Sequence, residues 1–102
     1  MPVITFDVHA VAAESGDAVD TQRLKPWKSL HFSGLESGTF SVATLRVQGS
    51  NDNTNWIAIG SDVTASSIVN LVEPLAFMRI YTVAYTSGTP KCVMSAHDVS
   101  GS

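Results

Sequence analysis

One cysteine, Cys92, stands in 102 residues. A lone cysteine excludes an internal disulfide and any cysteine-based zinc site. Its β-rich surroundings make it a small buried apolar residue. Charge is scarce too: charged residues are 15% of the chain, against roughly a quarter in typical domains. The formal net charge is −3, which offers no basic face for nucleic acid. No run approaches the ~20 apolar residues of a membrane span. The opening Met1-Pro2-Val3 lacks a basic segment followed by an apolar stretch, so no signal peptide is expected. A protein made and kept in a cytosol, or built there into a particle, is the expectation. Catalytic signatures are missing as well. Nothing matches Gly-x-Ser-x-Gly, and Gly34 and Gly38 punctuate a turn rather than cradle a phosphate. His97 and Asp98 are strand neighbours that would point to opposite faces. Neither an enzyme nor a cofactor is expected.

Ser, Thr, Asn and Gly fill the place of the missing charge. Such a surface suits a protein packed against neighbours. The length is that of one domain, residues 1–102, able to bury roughly two-thirds of its unfolded surface. Its organising stretch runs from Val42 to Arg79. Leu45 and Val47 alternate with Arg46 and Gln48; beyond a polar tip, Ile57 and Ile59 alternate with Trp56 and Ala58. That is the period of two expected of half-buried strands. The tip, Gly49 to Asn55, is rich in residues that turn the chain, so a hairpin with a longer loop is predicted. Asn51, Asp52 and Asn55 also offer oxygens, but the calcium spacing of an EF-hand is missing. Trp56 is expected to lie as a lid over one end of the core.

Elsewhere the same period recurs. Residues 1–13 read as a first strand, with Ile4, Phe6, Val8, Ala10 and Ala12 on one face. Glu14-Ser15-Gly16-Asp17 signals a turn, Ala18 to Leu24 reads as a loop or short edge strand, and 14–27 as a whole reads as a loop or arm where partner contacts are expected. Pro26 pushes Lys25 to extended geometry. The sandwich proper spans 28–98. Leu30 and Phe32 point inward from its first strand, His31 outward. In Thr39 to Gln48, Phe40 and Val42 share one parity, Leu45 and Val47 the other. A bulge near Ala43-Thr44 would bring both pairs to the core; the alternative is a strand buried on both faces. Ile68 to Val72 is short and ends at Glu73-Pro74. Ala76 to Thr86, with Ile80 and Val83, carries large residues on both faces and is expected to be central. Lys91 to Asp98 is the last strand, and 99–102 a flexible tail. Seven or eight strands without a substantial helix predict an all-β antiparallel sandwich, jelly-roll-like in topology. Its core is expected to be Phe6, Val8, Leu30, Phe32, Leu45, Val47, Trp56, Ile57, Ile59, Ile80 and Val83.

His9, His31 and His97 fall on polar strand faces, and a zinc site is thinkable if the first and last strands pair. No close His-x-His pair supports it, and no metal is expected. Arg79 stands in the most apolar strand. It either packs its stem and pairs with Glu73 or serves an interface, where arginine is enriched. Trp27 follows a proline and is suited to anchor a protein contact or stack on a sugar.

The string Gln48-Gly49-Ser50-Asn51-Asp52-x-x-Asn55-Trp56-x-x-Ile59-Gly60 resembles a segment of bacteriophage virion β-sandwich modules, those of capsid decoration (cement), head fibres and tails. Tyr85-Thr86-Ser87-Gly88-Thr89-Pro90 is similar to the same modules. Ser50-Asn51-Asp52 followed by Trp56, with Phe77-Met78-Arg79-Ile80, also resembles discoidin-type galactose-binding-like domains. The likeness covers Val42 to Val93 and leaves the first thirty residues unmatched. It implies a decoration protein on the outer capsid surface of a virion, made in a bacterial host's cytoplasm. Its partners would be the major capsid protein and itself, as a homotrimer, with no nucleic acid and no membrane. The alternative is a tail or fibre component, or a carbohydrate-binding module with Trp27, Trp56, Arg79 and the 50–55 loop at one end of the sandwich. Contact residues expected on either reading are Trp27, His31, Asn51, Asp52, Asn55 and Arg79.

Overall fold

A computed structural model describes residues 3–98, with Asp98 described by its backbone alone. No helix forms among them. The strands are β1 (Val3–Thr5), β2 (Glu14–Ser15), β3 (Val19–Asp20), β4 (Leu24–Ser33), β5 (Glu36–Ser37), β6 (Phe40–Ser41), β7 (Ala43–Ser50), β8 (Ile57–Ala58), β9 (Ser67–Leu71), β10 (Phe77–Tyr85) and β11 (Lys91–Asp98). One sheet has the order β1-β11-β4-β9. The other has β2-β10-β7-β8, with β3 continuing β2 along β10. Every pairing is antiparallel. With β2 and β3 taken as one interrupted strand, and the small β5–β6 hairpin set aside, eight strands remain. Their alternation between the sheets is that of a jelly roll, as the sequence predicts.

Inward residues meet across the strands in rows. Val69, Leu30, Met94 and Ile4 form one row of the first sheet. Met78, Ile80 and Thr82 face inward from the second, paired with Gly49, Val47 and Leu45. Leu30, Phe32, Leu45, Met78, Ile80, Cys92 and Met94 are sealed from solvent. Gly49 has a steric reason: a Cβ there would stand 2.8 Å from Leu75, which packs into the gap with Ile59. Burial pushes the Cys92 thiol up to about 12, so it is inert packing and not a nucleophile.

Several expectations are corrected. The first strand ends at Thr5, not Ala13. Phe6 still donates its N–H to the Cys92 carbonyl and is buried, and Val8 packs on the core from its margin. Ala10 and Ala12 are exposed, because the chain is crossing to the other sheet. There Ala13 and Gly16 donate to the Thr82 and Ile80 carbonyls. The turn falls at Ala12-Ala13, with Ala13 at φ 63°, and Glu14–Ser15 is strand. The 14–27 arm is therefore held by two short edge strands, β2 and β3, and its end from Leu24 belongs to β4. Lys25-Pro26-Trp27 fits because β4 and β11 lose register between Lys28 and Leu24; a bulge tolerates a proline without an N–H.

Phe40 is 75% exposed on the hairpin. The irregularity lies opposite the expected place, on β10 between Thr82 and Ala84. Val83 occupies it and does not join the core. Ile57 keeps the inward parity opposite Gly49 but sits on an edge strand and is 71% exposed. Trp56 is half-buried outside the core cluster. The expected tail, 99–102, lies outside the described residues.

Candidate functional site

The polar tip is a stapled turn. Asp52 Oδ1 accepts from Ser50 Oγ and from the backbone N–H groups of Thr54 and Asn55, at 2.8–2.9 Å. Its Oδ2 accepts from Asn55 Nδ2. These donors, the Asn55 N–H foremost, hold the carboxylate far below the usual range. Asn51 Oδ1 accepts from the Ala76 N–H and ties the tip to β10. The loop itself thus supplies four donors to this carboxylate, three of them at Oδ1. Asn51, Asp52 and Asn55 build the turn and stand exposed on it. Among the described residues no group of three His, Cys, Asp or Glu could hold a metal ion, so His9, His31 and His97 do not converge.

Arg79 points out from β10, not toward Glu73. Its Nε donates to Gln48 Oε1 at 2.7 Å, and its guanidinium lies 4.2 Å from the Trp56 ring centroid. The strand period puts Tyr81 on the same face, paired with Arg46. Arg46 grips Asp62 with two hydrogen bonds of 2.8 and 3.1 Å and lies over Tyr81 at 5.8 Å. The outer face of the second sheet thus presents two arginines, each stacked on an aromatic. Sequence reasoning singled out Arg79 but missed Arg46, Tyr81 and Asp62. The signal was the parity shared by Arg46 with Gln48 and by Tyr81 with Arg79.

Trp27 and His31 stand on the outer face of the first sheet, on β4. Trp27 therefore stands on the other sheet from Arg79 and its stacked Trp56, not beside them as the carbohydrate-binding alternative has it. Trp27 is 70% exposed.

A third cluster was not foreseen. His9 lies between Asp7 and Glu14, with ring-nitrogen to oxygen distances of 3.0 and 2.8 Å. Asp7 also accepts the Asp17 N–H, and Thr82 Oγ1 donates to the His9 carbonyl. Together these clasp the crossover to β10. Glu14 and then Asp7 raise the His9 pKa; the Asp17 N–H and then His9 lower that of Asp7. Stability from a raised histidine is fully present below its unfolded value, about 6.5, and lost as pH rises through the folded value. Stability from Asp7 is lost as pH falls through its depressed value. A proton NMR titration is therefore expected to place His9 above 6.5 and above its own value in the Glu14→Gln variant.

The strand order and the two dissimilar outer faces define an eight-stranded jelly-roll sandwich. No protein-family model matches the chain, and a search among curated proteins found no match. Among solved structures, the SPBc2 prophage-derived protein YomS superposes with a TM-score of 0.73 at 14% identity, over 94% of this chain and 92% of that one. The two share a fold. PirA superposes at a TM-score of 0.46 with 15% identity, over 94% and 92% of the two chains, too loosely to carry an inference.

Proposed function

We propose that the chain is a virion structural protein and, more finely, a capsid decoration protein. It meets the particle through the outer face of its second sheet. The observation that carries this reading is the pair of stacked arginines. Interface centres are enriched in Arg, Trp and Tyr, and those types share this face. Arg79 is held by Gln48 and Trp56 before any partner arrives, so less side-chain freedom is lost on docking. Of its five N–H donors the Gln48 bond uses one. The likeness to a prophage-derived protein supports a phage setting. Binding to the assembled lattice, and not to free capsid subunits, would stabilise the shell by mass action, and many copies would make weak contacts add. The partners are the major capsid protein and other copies of this chain, and no catalysis is involved.

The test is cosedimentation of purified protein with particles that lack it. Wild type is expected to pellet with them. Arg79→Lys, which keeps the charge but not the planar fork, is expected to pellet at least about tenfold less, equal to about 1.4 kcal/mol. Equal pelleting of both proteins would remove this face from the account. No pelleting of wild type would remove the function.

A further inference from the structure

The outer face of the first sheet carries a second feature, independent of the capsid reading. Trp27, Lys28, Ser29, Asn70, Ser95 and His97 line an open cleft of about 300 Å³, at the small end of the range for ligand sites. Register explains the assembly. Asn70, Ser29 and Ser95 are cross-strand partners on β9, β4 and β11, so their side chains form one polar floor. The β4–β11 irregularity lies beside them, where Trp27 and His97 rise from neighbouring strands. Lys28 contributes no charge to the cleft: its side chain is buried, and Nζ donates to the carbonyls of Pro26 and Glu73 at 2.8 and 2.7 Å. Among the described residues no carboxylate lines the cleft.

We propose that this cleft binds a neutral pyranose, free as a glycoside or as one unit of a polysaccharide. A pyranose has an apolar face of C–H bonds and a rim of hydroxyls that both donate and accept. The exposed Trp27 ring supplies a flat apolar wall and one N–H donor. The Asn70 amide and Ser29 hydroxyl supply donors and acceptors, with the His97 imidazole as a further polar group. Among the described lining residues an anionic ligand finds no presented cation, and a purely apolar one would leave the floor unsatisfied. On this assignment the molecule has two working faces, arginine-rich toward a particle and saccharide-binding away from it.

The experiment is a heteronuclear NMR titration of the full chain with the methyl glycosides of glucose, galactose, mannose and N-acetylglucosamine, each to about 50 mM, well above a weak dissociation constant of ~1 mM. At least one glycoside is expected to shift the Trp27 indole and Asn70 amide signals saturably, leaving the Trp56 indole in place. Trp27→Ala is expected to weaken that binding at least tenfold with an unchanged Val47 amide, which reports an intact core. Asn70→Ala provides a second variant on an exposed strand and is expected to weaken it as well. No shift with any of the four overturns the proposal. So do shifts centred on Trp56, or an equal response to glucuronic acid. Retained particle binding by Trp27→Ala keeps this test separate from the capsid one.

Discussion

Replacing Phe32 by alanine is expected to lower the free energy of unfolding by about 3–5 kcal/mol. Phe32 is completely buried on β4, which lies between β11 and β9. Its ring is enclosed by both sheets, and neither neighbour can move in without breaking its own ladder. A domain of this size has roughly 5–15 kcal/mol in total, so the loss takes a large share. Calorimetry should show the melting temperature fall by on the order of 20 °C. Phe40→Ala is the matched control. Phe40 is 75% exposed on the β5–β6 hairpin, and its loss should change stability by less than about 0.5 kcal/mol. Comparable losses from the two would mean that the hairpin, and with it the assigned interior, is wrong.

Gly16→Ala is expected to be nearly as damaging, for a steric reason. A Cβ at Gly16 would lie 1.6 Å from the Asp7 carbonyl oxygen. That atom is backbone, so no rotamer change relieves the clash. The crossover would have to part, taking with it the Gly16 bond to Ile80 and the Asp17 bond to Asp7. Overpacking of this kind costs about 1–3 kcal/mol, and each broken hydrogen bond adds about 1. Gly38→Ala separates conformation from space: its φ is 62°, yet nothing lies within 4 Å of the added carbon. Only strain of about 1–2 kcal/mol is expected there. Urea unfolding of the two variants should rank them, with Gly16→Ala the less stable.

Much of the sandwich is legible in the sequence because most long strands bury one face. Leu30 and Phe32 on β4, and Leu45 and Val47 on β7, show that period directly. The crossover from Phe6 to Gly16 was not legible. Ala10 and Ala12 continue the alternation of Ile4 and Phe6, and only bonds to Thr82 and Ile80, distant in sequence, show that the chain has changed sheets. Phe40 misled for a related reason: its parity with Val42 looks inward, but the chain breaks at Val42, whose N–H bonds the Leu35 carbonyl. Trp56 misled because size suggests burial, while Arg79 offers it a place outside. Arg79 itself was legible as a candidate. What stacks against it was not, since Gln48 meets it only when β7 pairs with β10, and Trp56 only when the chain turns back into β8.

The most direct test of the two-faced account is an electron cryomicroscopy reconstruction of decorated particles that resolves the orientation of the sandwich. The outer face carrying Arg46, Arg79 and Trp56 should lie against the shell, with Trp27 turned to solvent. A sandwich seated on Trp27, or bound by its loops with both faces free, would contradict it.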